Sequence, residues 1–131
     1  MNMRVKGLFA VLLALMLSSC SSQDVWMAEP QAWEEFTIHY ETRPEVIREG
    51  MNEFLVFANR AGKRYIPDLL VHIRTTHSDW RQAMPDGALG VYRRALPVRS
   101  IEDDQLFVRF SYHGKQGELQ FDLAPKAASH P

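Results

Sequence analysis

From Leu106 to Leu123 apolar and polar residues alternate, and this period of two restricts the fold more than any other feature of the chain. Leu106, Val108, Phe110 and Tyr112 alternate with Phe107, Arg109, Ser111 and His113; Leu119, Phe121 and Leu123 alternate with Gln120 and Asp122. Successive strand side chains point to opposite faces, so each run has one face to bury and one to leave in water. The same pattern recurs at Phe36, Ile38 and Tyr40, and at Leu69, Val71 and Ile73. A helix, with its period of 3.6, would scatter these positions around its circumference.

The remaining segments extend the β reading. Phe54-Leu-Val-Phe57 is apolar on both faces and suits a central or doubly covered strand. Val91 to Val98 is a further strand, with Pro97 placing its end on an edge or bulge because proline donates no ladder hydrogen bond. Glu45 to Ala61 holds several helix formers, but Gly50 and the aromatic and β-branched cluster after it favour a short strand at Glu45 to Arg48, a turn at Gly50, then a longer strand. His113 to Gly117 links two alternating runs as a hairpin loop. About seven short strands in about 90 residues predict an all-β fold, an immunoglobulin-like antiparallel β-sandwich over residues 34–124. No cysteine pair exists, so apolar packing must hold the two sheets together.

The first 19 residues read as an export signal. Arg4 and Lys6 charge the start, and Gly7 to Leu17 is an unbroken run of apolar or small residues. That run is shorter than the about 20 apolar residues a membrane span requires. Leu17-Ser18-Ser19-Cys20 then resembles the bacterial lipobox, in which an apolar residue and two small ones precede the cysteine that is lipidated. Cys20 is also the single cysteine of the 131 residues. The resemblance implies a lipid anchor on Cys20, with several acyl chains, enough for stable membrane attachment. With Ser21 rather than aspartate next to it, it further implies the outer membrane, with the protein facing the periplasm. Residues 20–33 are then a lipidated tether and 125–131 a flexible tail. Trp26 and Met27 are unusual in a spacer and are expected either to pack back on the domain or to rest at the membrane interface.

Charge narrows the partners. Two of the 15 basic residues, Arg4 and Lys6, belong to the signal, so 13 basic residues face 16 acidic ones in the mature chain. No basic block stands out, which argues against nucleic acid and anionic lipid surfaces as partners.

Catalytic chemistry finds little support. Ser78 and Asp79 beside His77 offer the residue types of a hydrolase without nucleophile-elbow glycines, and a polar turn explains them better. No phosphate loop or dinucleotide fingerprint is present. The chain is therefore expected not to be an enzyme. Copper is the one cofactor worth weighing, because His72, His77 and Met84 would offer imidazole and thioether ligands from a strand and the loop after it. A candidate partner surface groups Trp80, Arg81, Tyr92, Arg93 and Arg94, residue types enriched in interface hot spots, although Trp80 and Tyr92 partly closing the sandwich, with the arginines charging an edge strand, explains them better.

At the level of the domain, several stretches resemble the small extracytoplasmic β-sandwich domains of the YtkA and FixH type. They are Pro44-Glu-Val-Ile-Arg-Glu-Gly-Met-Asn52, Gly62, Asp68 to Thr75, Ala83-Met-Pro85, Gly90-Val-Tyr92, and Leu106 to Leu123. The chain departs from that pattern with Asp104-Gln-Leu-Phe107 where Gly-Trp is common, and with a single Met84 in the methionine loop. The resemblance implies a sandwich fold and a setting in metal or cytochrome-oxidase assembly. The expected role is that of a non-enzymatic accessory or scaffold for an envelope protein complex. The alternatives are a pilotin-like lipoprotein of a secretion system, which would carry a groove for a helix or strand, and a periplasmic copper carrier.

Overall fold

A computed structural model describes residues 25–61, 66, 68–87 and 90–126; the expected signal, Cys20 and residues 127–131 of the expected tail lie outside the described residues. The described chain is a β-sandwich of nine strands in two antiparallel sheets. The strands are β1 (Gln31–Trp33), β2 (Phe36–Arg43), β3 (Gly50–Arg60), β4 (Leu70–Thr75), β5 (Arg81–Gln82), β6 (Met84–Pro85), β7 (Val91–Val98), β8 (Gln105–Tyr112) and β9 (Lys115–Asp122). One sheet has the order β1-β2-β3-β7-β6 and the other β5-β4-β8-β9.

The alternation read from the sequence becomes the core. Phe36, Ile38 and Tyr40 of β2, Phe54 and Val56 of β3, and Leu96 and Val98 of β7 face Val71 and Ile73 of β4, Leu106, Val108 and Phe110 of β8, and Phe121 of β9. Each such side chain taken out of water contributes about 1.5–3 kcal/mol. β3 is central, between β2 and β7. Its outward Leu55 is only 3% exposed, with Glu41 and Arg93 as cross-strand neighbours. Its outward Phe57 stacks on His39 at 4.6 Å. Neighbouring side chains, rather than a further layer, therefore cover the outer face of that doubly apolar run.

Three departures from the sequence reading have local causes. Glu45 to Arg48 is not a strand but part of the β2–β3 loop, because side chains take up its backbone groups. Thr42 Oγ1 donates to the Pro44 carbonyl at 2.9 Å, while Asn52 accepts from the Arg48 N–H at 3.1 Å and donates to its carbonyl at 2.7 Å. The β8–β9 connection is a two-residue turn, His113-Gly114, not a loop reaching Gly117; both residues have positive φ, 48° and 78°, as a type I′ turn demands. Gln31–Trp33, read as the end of the tether, pairs with Phe36–Ile38 as β1.

Candidate functional site

One end of the sandwich carries an open, mostly apolar groove of about 490 Å³. The end of β2, the β2–β3 loop, the β7–β8 turn and the residues after β9 meet there, and the lead-in residues Val25 to Met27 complete the wall. The floor is Tyr40, whose hydroxyl donates to the Asp122 carbonyl at 2.6 Å, together with the buried Leu123. With its hydroxyl so occupied, the tyrosine offers the groove its ring. Burial, reinforced by the nearby Asp122 charge, pushes the phenol of Tyr40 well above its ordinary pKa.

The loop pinned by Thr42 and Asn52 sets the next wall. Ile47 turns inward onto the core, while Val46 points out and is 66% exposed. Ile101 from the β7–β8 turn also packs on the core and lines the same groove. That turn is held by Asp104, a fully buried carboxylate that accepts the Arg99 N–H at 2.8 Å. On the lead-in, Trp26 and Met27 are 41% and 53% exposed. Among the described residues the charged ones lining the groove are Glu41 and Glu45. Such a surface suits an apolar occupant.

The residues singled out for copper are not brought together. His72 lies on the outer face of the β4 sheet, between Gln82 and Arg109 in the register. His77 sits in the turn after β4 with Nε2 3.5 Å from Asp104 Oδ1. Met84 is in the other sheet, paired with Arg93. Among the described residues no group of three or more histidine, cysteine or acidic side chains could hold a metal ion. Ser78 closes the same turn, its hydroxyl accepting the Thr75 N–H at 2.8 Å.

The candidate partner surface also divides. Tyr92 is corrected from surface to core: it is 5% exposed, because it falls on the inward phase of β7 with Leu96 and Val98. Trp80 belongs to the outer face of the β4 sheet, with the Arg109 guanidinium 4.0 Å over its ring and Arg74 at 5.2 Å. Arg81 is exposed on the edge strand β5. Arg93 lies on the outer face of the opposite sheet, 3.7 Å from Glu53 and 3.9 Å from Asp86, and Arg94 beside it is half-buried.

The groove itself escaped sequence reasoning, since its walls come from segments as far apart as Val25 and Pro125. The signal that pointed to it was the pair Trp26 and Met27 in a stretch that otherwise reads as spacer.

No known protein family matches the chain, and no curated protein matches it. A solved structure described as "Crystal structure of Br derivative BhCBM56" is similar at 13% identity, over 71% of this chain and 94% of that one, with a TM-score of 0.42. A likeness at that level says nothing about what this chain binds.

Proposed function

We propose that the protein is a lipid-anchored lipoprotein of the bacterial envelope, held on the outer membrane through Cys20 and facing the periplasm. It acts as a non-enzymatic accessory or scaffold for an envelope protein complex. The observation that carries this reading is the arrival of the chain at the groove. Val25 lies five residues after Cys20 and already forms part of the apolar end of the sandwich. An export signal and lipobox thus lead almost directly into a folded binding module rather than into a long spacer. The YtkA and FixH resemblance would place the partner in metal or cytochrome-oxidase assembly. A second reading, the pilotin-like one, is favoured by the groove itself, which has the apolar lining that a partner helix would need.

The test is a gentle detergent pull-down of the lipidated protein, with metal content read on the same eluate, beside a Cys20→Ser variant. The expected result is a stoichiometric envelope complex from wild type and release of Cys20→Ser into the soluble periplasmic fraction. A secretin in the eluate would select the pilotin-like reading. Membrane retention of Cys20→Ser would overturn the anchor, and one equivalent of copper with no protein partner would select the copper carrier instead.

A further inference from the structure

Lead-in and loop together give the groove end a rim of exposed apolar side chains. Among the described residues seven large apolar side chains are exposed, and four of them, Val25, Trp26, Met27 and Val46, line this one groove. They come from two segments about twenty positions apart, so the patch is a product of the fold rather than of one greasy stretch. A patch of that kind on a soluble domain marks a surface that meets something apolar.

Covalent geometry says what lies within reach. Val25 is five residue steps from Cys20. Fully extended, they span at most about 18 Å. If Cys20 carries the lipid, Val25 on the groove wall is held within about that distance of the anchored residue. The far end of the sandwich, with the His113-Gly114 turn and the start of β4, is the end that faces away. Chemistry agrees with proximity. Tryptophan is the side chain that prefers the headgroup level, because its ring is apolar and its indole N–H still finds a polar partner there. Apolar side chains beside it add affinity in proportion to the area they bury in the headgroup and acyl boundary. Among the described residues the charged side chains lining the wall are Glu41 and Glu45, an acidic pair that favours zwitterionic over anionic headgroups.

We infer that the groove end seats on the bilayer that holds the anchor, with Trp26, Met27 and Val46 in the interface of zwitterionic phospholipid. The lipid on Cys20 then fixes not only location but orientation, and the opposite end and both outer sheet faces are turned to the periplasm. This inference rests on the anchor reading above, and the experiment separates the two.

Full-length, lipidated Val46→Cys protein is labelled with a nitroxide and reconstituted into phosphatidylcholine vesicles, beside a Leu70→Cys control. Leu70, 47% exposed at the start of β4, reports the far end. The expected result is a Val46 nitroxide accessible to oxygen and shielded from a water-soluble nickel chelate, while the Leu70 nitroxide shows the reverse. A label at Met27→Cys should repeat the Val46 result, which guards against a local effect of one substitution. Unlipidated Cys20→Ser chain should touch these vesicles only weakly and wash off, in keeping with its release from cells, and Trp26→Ser in that background should weaken this residual partitioning about tenfold or more. Adding phosphatidylglycerol to the vesicles should weaken it further. Retention of wild type on vesicles with the Val46 and Met27 labels both in water would overturn the seating and leave the anchor standing. Shielding of Val46 only in native membranes, and not in pure lipid, would overturn it in favour of a protein segment in the groove. Failure of the anchor alone would show as Cys20→Ser and wild type partitioning equally, with the Val46 label still shielded.

Discussion

The hydroxyl of Tyr40 in β2 donates to the backbone carbonyl of Asp122 in β9 across 2.6 Å, so one side chain ties the two sheets together at the floor of the groove. Similar bonds span the sheets elsewhere, from Thr75 Oγ1 to the Pro97 carbonyl at 2.5 Å and from Arg60 to the Tyr112 hydroxyl at 3.2 Å. The Tyr40 and Thr75 bonds satisfy hydroxyls of buried residues that the packing of the sheets would otherwise strand.

Tyr40→Phe should lower stability at neutral pH by about 0.5–1.5 kcal/mol, the net worth of one such bond. Its pH dependence should also change. An unfolded tyrosine loses its proton near pH 10, while the buried Tyr40, held up first by burial and then by Asp122, keeps it. The folded state then binds more protons, so this contribution is whole below about pH 10 and is lost as pH rises toward the raised folded value. Tyr40→Phe lacks that titration and should lose stability less steeply above about pH 10. Urea unfolding of both proteins at neutral and alkaline pH reads the difference, and parallel curves would mean that the folded protein does not hold this proton.

Gly117 is a glycine because of Trp33. A Cβ at position 117 would overlap the Trp33 indole, which lies across β9 and stacks on Phe110 at 5.0 Å and Phe36 at 5.8 Å. Gly117→Ala should therefore cost about 1–3 kcal/mol by overpacking. In a Trp33→Ala background the same substitution should cost almost nothing. Denaturant melts of the single and double variants measure that coupling; a full cost in both backgrounds would mean the strand itself, not the indole, requires glycine.

Most of the sandwich was legible because its long strands carry enough residues to show a period. Leu106 to Leu123 set out β8 and β9, and Pro97 falls where β7 meets the groove end without β6 beside it. The strands that went unread are the short ones: β1 has three residues, and β5 and β6 have two each. Two or three residues cannot display an alternation, and their pairing is decided by where the long strands leave an edge. Glu45 to Arg48 departs for another reason, since the side-chain bonds of Thr42 and Asn52 take up its backbone groups. Tyr92 fits two readings by type, a surface beside arginines or a cover for the sandwich, and the phase of β7 decides for the inside. The groove depends on four segments converging, which no local pattern encodes.

Asp104 gives a third prediction. Its carboxylate is fully buried; Oδ2 accepts the Arg99 N–H, while Oδ1 accepts no hydrogen bond among the described residues and has His77 Nε2 3.5 Å away. Asp104→Ala should cost about 1–3 kcal/mol, because it frees the Arg99 N–H and the turn that carries Ile101. Asp104→Asn keeps an acceptor for that N–H and should cost less. His77→Ala removes the neighbour of Oδ1, so its cost should be larger in wild type than in the Asp104→Asn background. With His77 about half exposed, the coupling should stay near or below about 1 kcal/mol. A cycle with no coupling would show that the imidazole leaves the buried carboxylate to other partners.

The last prediction concerns the outer face of the larger sheet, where the register sets Glu41, Leu55, Arg93 and Met84 in one row. Arg93 is half-exposed between Glu53 and Asp86, and its cross-strand partner Leu55 is buried. Arg93→Glu would gather three carboxylates over an apolar residue, yet exposed pairs of this kind are worth at most about 1 kcal/mol, so the fold should survive. If the groove end seats on the membrane, this row points to the periplasm and is free for a partner. Arg93→Glu should then lower recovery of the partner in the pull-down while thermal unfolding shifts by only a few degrees. The half-buried Arg94 should respond differently, with Arg94→Glu disturbing stability more than binding. Undiminished recovery with Arg93→Glu would move the partner to the opposite sheet, where the Arg74, Trp80 and Arg109 stack is the surface to reverse next.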